Sequence, residues 1–249
     1  ARGYGAVASN NSWAWTDNTD GNPNANFNAT EMQALIDGNP DFTTDQLFGY
    51  VAEGNPFVPG AQTSAWQSYV TALNNFQNSG VLVFANGNYS GESDASALAA
   101  LPEFYSQLSE AWLTVTLADF TGTSLDSATS SDFTLYGNKC GSAKEYCLTV
   151  DDYLLKGGSY VSGGVSQYQD NGSGSSYGAP MVAGGVALLA QAFPNHTPEQ
   201  LTDRILASAN NSWFTAEGNT TFTSHGNSIT HGYHSTWGHG VPDFYAALS

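Results

Sequence analysis

Gly174-Ser175-Ser176-Tyr177-Gly178-Ala179-Pro180-Met181-Val182-Ala183-Gly184-Gly185 is the stretch on which the reading of this chain turns. From Tyr177 to Phe193 the residues are apolar or small nearly all round, which predicts a helix buried in the domain centre. Pro180 fits a first turn, where no intrahelical donor is required. Small residues at 178, 179, 184 and 185 allow neighbouring elements to approach closely. A serine at the start of such a helix is chemically favoured. The first-turn N–H groups are free to donate, and the positive helix end stabilises an attacking oxygen or a developing oxyanion. The same serine also reads as the N-cap of a purely structural helix.

Moving outward, Val81-Leu82-Val83-Phe84-Ala85 is a continuous apolar run, as expected of a strand buried on both faces of a parallel sheet. Asn86-Gly87-Asn88 follows it. This places a side-chain amide beyond the carboxyl edge of the sheet, where open α/β sheets bind ligands. Before that strand, Trp66, Tyr69, Val70, Leu73 and Phe76 recur at helical spacing between Thr63 and Asn78, with Gly80 as the stop signal. Trp112 to Ala118 reads as another buried strand, and Gly5 to Ser9 as a short buried one running into Asn10-Asn11-Ser12. Residues 17–28, rich in Asn, Asp, Gly and Pro, read as loop. Thr197-Pro198-Glu199-Gln200 carries a capping-box pattern that opens a second helix through about Ala207. Strand, helix, strand and buried helix in succession predict an α/β domain with a mostly parallel sheet.

The composition narrows the function. The 249 residues, 41% hydrophobic, suffice for a sizeable core, and no repeat or long linker divides them. Only 11% are charged, with 5 Lys plus Arg against 22 Asp plus Glu, giving a formal net charge of −17. Such a field repels phosphate backbones, which argues against nucleic acid as a partner. No apolar run reaches the ~18 residues of a transmembrane span. Ala1-Arg2-Gly3-Tyr4 has no apolar stretch behind its basic residue and reads as the start of a mature or trimmed product. Cys140 and Cys147, the two cysteines, lie close together. They suggest a disulfide-closed loop and an oxidising compartment, two unrelated thiols being the alternative. Without a neighbouring histidine they lack zinc-ligand spacing, and no metal site is assigned.

Together these segments resemble the subtilisin-like serine proteases, peptidase family S8. In that family a buried strand ends in Ala-Gly-Asn, whose Asn belongs to the oxyanion hole, and a later Gly-Thr-Ser-x-Ala-x-Pro carries the nucleophile. The counterparts are Ala85-Asn86-Gly87-Asn88 and Gly174-Ser175-Ser176-Tyr177-Gly178-Ala179-Pro180. Asn10-Asn11-Ser12-Trp13 is similar to the family's Asn-x-Ser-Trp-Gly strand end, which lines the substrate cleft. Trp112 to Asp119, Lys139-Cys140-Gly141 to Cys147-Leu148, and Trp237-Gly238-His239-Gly240-Val241-Pro242-Asp243 resemble the branch of secreted and autotransporter proteases of bacteria.

The resemblance implies a subtilisin-like three-layer sandwich and a serine endopeptidase. Ser176 and Asn88 would be catalytic, and Ser12, Trp13, Ala14, Ala85, Asn86 and Gly87 would border a polypeptide substrate. It also implies a secreted or cell-surface bacterial location. The chemistry requires no cofactor, and no motif assigns a structural calcium site. There are departures. Ser175 replaces Thr, Gly178 replaces Ala, Ala14 replaces Gly, and Asn86 replaces a small apolar residue. The family's catalytic Asp and His precede the Ser-Trp-Gly strand, whereas the first histidine here is His196. Residues 1–249 therefore correspond to the C-terminal portion of one peptidase domain, its nucleophile and oxyanion half. Its expected partner is a docked N-terminal fragment of the same domain that supplies the remaining triad. The rival reading is a catalytically inactive structural or surface-assembly subunit. The late His225, His231, His234 and His239 read as surface or packing residues.

Overall fold

Alternation along two strands sets the architecture of the computed structural model, which describes residues 5–16, 25–53, 63–153, 155–224 and 226–249. Ala1–Tyr4, much of the expected 17–28 loop, and His225 lie outside the described residues. The elements in chain order are β1 (Ala8–Asn11), α1 (Ala29–Gly38), α2 (Thr44–Glu53), α3 (Thr63–Gln77), β2 (Val81–Ala85), α4 (Leu101–Phe104), β3 (Trp112–Phe120), β4 (Phe133–Leu135) and β5 (Cys147–Asp151). They continue as β6 (Leu155–Ser162), β7 (Val165–Gly172), α5 (Ser175–Ala192), α6 (Pro198–Ser208), β8 (Gly218–Ser224), β9 (Asn227–Tyr233) and α7 (Phe244–Leu248).

Strands β1, β2 and β3 pair in parallel in that order. β5 adds in parallel to β3, and the short β4 pairs antiparallel with the far end of β3. Two separate antiparallel hairpins, β6–β7 and β8–β9, complete the strands. Successive strand side chains point to opposite faces. Val81, Val83 and Ala85 accordingly join Leu113, Val115 and the inner faces of α5 and α6 in one core. Leu82 and Phe84 join Trp112 and the apolar residues of α1, α2 and α3 in another. The result is three layers, helices on both faces of a mostly parallel sheet, as expected from the sequence. Phe84 stacks on Trp112 at 4.3 Å, and the Trp112 indole N–H donates to the Ala99 carbonyl. The ring is thereby buried without an unpaired donor.

Local signals explain several boundaries. Thr197 and Gln200 form the expected capping box at α6. Asn28 and Glu31 form another at α1, a helix the sequence reading did not anticipate. Two expectations are corrected. The first strand is Ala8–Asn11 rather than Gly5–Ser9, and it is only half-buried. Among the described strands it pairs with β2 alone, so it is the edge of the sheet. Helix α5 is not buried all round. Ala179, Val182, Val186 and Leu189 face the sheet, while Tyr177, Met181 and Leu188 are 41%, 47% and 55% exposed. The apolar residues of its outer face gave no hint of this in the sequence.

Cys140 and Cys147 form a disulfide across a sequence separation of 7. Both are wholly buried, flanking the two-turn 3₁₀-helical stretch Gly141–Tyr146. Closing so short a loop restricts the unfolded chain by about 2–3 kcal/mol. Replacing both cysteines with serine is expected to lower the unfolding free energy by about that amount, as read from a denaturant titration.

Among the described histidines of the late cluster, His231 and His239 pack ring to ring with their Nδ1 atoms 2.9 Å apart. Their Nε2 atoms meet the carbonyls of Ala209 and Glu145. Burial pushes the His239 pKa down to about 4. His234 sits 3.3 Å from the Glu217 carboxylate. The His231 and His239 rings tie the β8–β9 hairpin to the body of the domain, while His234 pairs with Glu217 at the hairpin's base.

Candidate active site

The carboxyl ends of β1 and β2 and the start of α5 converge at one place. Strand β2 ends at Ala85 and the chain then passes through Asn86, Gly87 and Asn88. Asn86 is wholly buried. Its amide N–H₂ donates to the carbonyls of Asn138 and Lys139 at 3.0 and 2.8 Å, and its Oδ1 accepts from Thr114 at 3.4 Å. The side chain expected to border a cleft therefore points into the core, because the backbone at 138–139 offers two carbonyls that need donors. Any substrate contact at 86 falls to the backbone. Gly87 has φ of +118°, and a β-carbon there would run into the side-chain oxygens of Asn138 and Asn26. Glycine is the residue that permits this turn.

The turn presents Asn88 to α5. Asn88 Oδ1 accepts from the Ser175 N–H at 2.8 Å, satisfying a first-turn donor of the helix. The Ser175 hydroxyl accepts from the Gly87 N–H at 3.1 Å. It lies 3.0 Å from the Gly87 carbonyl and 2.9 Å from Asn88 Oδ1, one of which receives its single proton. Ser175 is wholly buried. It is the clasp between strand loop and helix, and in the sequence it stands out only as a replacement for threonine. With Oδ1 committed to Ser175, the Nδ2 group is the end of Asn88 that still has protons to give.

Ser176 follows the clasp in the first turn of the helix, preceded by Gly174 at φ of +144°. Its hydroxyl donates to the Ser12 carbonyl at 3.4 Å, and the Ser12 hydroxyl donates to the Ser176 carbonyl at 3.0 Å. The end of β1 is thus stitched to the same turn. Ser12, Asn88 and Ser176, remote in the sequence, meet around the amino end of α5. Beside this stitch Trp13 is 46% exposed, its ring 6.1 Å from Tyr69. Trp13, Trp15, Trp66 and Tyr69, with Gly49, Ala52 and Ala65, line a cavity of about 520 Å³. Ala85 is buried at the end of β2, and Ala14 lies between the two tryptophans of that wall.

Asp152, one residue past β5, was not anticipated. It is wholly buried, and neither carboxyl oxygen has a hydrogen-bond partner. Burial raises its pKa to about 8, a neighbouring Asp151 adding to the rise and the nearby Gly178 N–H opposing it.

The family model described as the subtilase family, peptidase S8, matches residues 7–233. Among solved structures, the prenylagaramide maturation protease PagA is similar at 19% identity and a TM-score of 0.46, over 74% of this chain and 54% of its own. MycP1 from Mycobacterium smegmatis is similar at 19% identity and a TM-score of 0.40, over 76% and 46%. A structure of the serine protease MycP1, a component of the type VII (ESX-1) secretion system, is similar at 18% identity and a TM-score of 0.42, over 95% and 62%. The chain spans between 46% and 62% of the length of these three structures. No curated protein matches it.

Proposed function

Because this chain belongs to the subtilase family, we propose that it is the nucleophile half of a serine endopeptidase, with Ser176 attacking the peptide carbonyl. Asn88 Nδ2 and the Ser176 N–H stabilise the oxyanion. The observation that carries this reading is the clasp of Asn88 Oδ1 on the Ser175 N–H at 2.8 Å, which holds an amide donor beside the turn that bears Ser176. The amino end of α5 adds the favourable end of its dipole.

In this reading the Ser176 oxygen bonds to the carbonyl carbon as its proton passes to a histidine held by an aspartate. The histidine then protonates the leaving amine as the C–N bond breaks, and water releases the acyl group by the same steps in reverse order. An N-terminal segment of the same domain supplies that histidine and aspartate. Two features support docking at this side: the edge of β1, unpaired among the described strands, and the exposed apolar residues Tyr177, Met181 and Leu188 on α5, with Val7 36% exposed before the strand. Unpaired strand edges and apolar stripes are surfaces that proteins cover. The backbone at Ser12–Ala14 and Ala85–Gly87 flanks an extended polypeptide substrate, and the aromatic cavity beside Trp13 accepts one of its apolar side chains. The disulfide supports a secreted or cell-surface setting.

A second reading, an inactive subtilisin-fold structural subunit, draws on the Ser176 hydroxyl. Among the described residues it is bonded to the Ser12 carbonyl rather than to a base. A fluorophosphonate probe separates the two in the natively purified assembly. The protease reading expects covalent labelling at Ser176, mapped by peptide mass, and a co-purifying N-terminal fragment seen by intact mass. An unlabelled, properly folded assembly would sink it.

A further inference from the structure

The nucleophile turn rests on a carboxyl group. A β-carbon added at Gly178 would lie 2.5 Å from Asp152 Oδ2, 3.0 Å from Val115 Cγ1 and 3.3 Å from Val150 Cβ. The Asp152 carboxyl therefore occupies the space that a methyl at 178 would need. Residue 178 is also a point at which the chain departs from the alanine of the resembled motif. A buried aspartate beneath the helix favours a glycine above it. Asp152 is held there by its own backbone, whose N–H donates to the Ala118 carbonyl at 3.3 Å at the end of the β3–β5 pairing. Among the described residues only backbone N–H groups, chiefly that of Gly178, favour the charged form of this carboxyl, and neither oxygen completes a hydrogen bond with them. Its β3 and β5 neighbours are Val115 and Val150, and the first turn of α5 carries no acidic side chain. The charge acting on it is that of Asp151, itself beside Asp119.

We propose that Asp152 is a positioning residue of the active site: wedged beneath Gly178, it seats the first turn of α5 on the sheet and sets the electrostatic field at Ser176. The inference rests on the reading of Ser176 as nucleophile. Held neutral by burial, Asp152 leaves the positive end of the helix available to an oxyanion. Ionised, it places a negative charge against Gly178, two residues past Ser176, opposing the charge that develops in the transition state. The sign follows from the raised pKa: the neutral form prevails in the folded protein up to about pH 8 and is lost above it.

The test compares the wild-type protein, purified with any accompanying segment, with Asp152→Asn. The readouts are fluorophosphonate labelling of Ser176 and peptide hydrolysis between about pH 6 and 10. Above the Asp152 pKa, wild-type labelling and kcat are expected to fall to a plateau about tenfold lower, with KM unchanged, while Asp152→Asn shares the rise through the histidine's titration and shows no fall above it. Superimposable profiles would overturn the proposal. If the wild type takes no label at any pH, the nucleophile reading fails, and the thermal unfolding midpoint decides the role of Asp152 by itself. The wild-type midpoint should then drop relative to Asp152→Asn as pH rises from about 4 to 8, and parallel curves would refute the buried carboxyl. A steric arm is independent of titration. Gly178→Ala should lower the midpoint, and Asp152→Ala in the same chain should restore it. A Gly178→Ala protein as stable as wild type would remove the wedge.

Discussion

Replacing Ser176 with alanine is expected to remove hydrolysis of an unfolded protein substrate by a factor on the order of 10⁶ while leaving the fold in place. The structural cost is small because the Ser176 hydroxyl makes one long hydrogen bond, to the Ser12 carbonyl, and the Ser12 hydroxyl bond to the Ser176 backbone survives the change. The catalytic cost is large because, in this reading, the Ser176 oxygen is the atom that bonds to the carbonyl carbon. The adjacent Ser175 supplies the control. It is wholly buried, and its hydroxyl is engaged by Gly87 and Asn88. Ser175→Ala therefore loosens the clasp and lowers the unfolding midpoint, yet retains a nucleophile and takes the fluorophosphonate label. Hydrolysis surviving in Ser176→Ala, or a label mapping to Ser175, would reassign the chemistry.

The second large effect belongs to Asn88, whose two side-chain ends do different work. Asn88→Ala removes both, and kcat is expected to fall by about 10²–10³ through loss of the oxyanion donor. It also loses the helix cap, a stability cost of about 0.5–2 kcal/mol. Asn88→Asp separates them. An aspartate oxygen still accepts from the Ser175 N–H, so unfolding should return close to wild type, while its second oxygen repels an oxyanion and kcat stays low. Parallel measurement of unfolding and turnover decides the matter. If Asn88→Asp recovers turnover along with stability, the residue is a cap and nothing more.

The parts of the fold that were legible in the sequence are those governed by local periodicity and local hydrogen bonds. Val81–Ala85 had to be a doubly covered strand, and all five of its residues are buried. Thr197 and Gln200 sit three apart and satisfy each other without help from the rest of the chain. The same logic applied to Asn28 and Glu31 would have announced α1, but an asparagine cap in an Asn-rich stretch does not stand out. The exposure of Tyr177, Met181 and Leu188 was not legible, since an apolar residue looks alike whether or not something covers it. The inward turn of Asn86 depends on carbonyls some fifty residues later, at 138 and 139. Asp152 hid for a similar reason. An acidic pair at the end of an apolar run reads as solvated, and its burial is decided by the helix that begins at Ser175.

The stitch between Ser12 and Ser176 spans 164 positions of sequence, and the clasp between Asn88 and Ser175 spans 87. Contacts of such range cost loop entropy before they return anything, so topologies built on them fold slowly. The reactive turn is consequently among the last places to take shape during refolding. Recovery of a reactive serine, followed over time after dilution from denaturant, would then clock the completion of the whole sheet rather than the appearance of its helices.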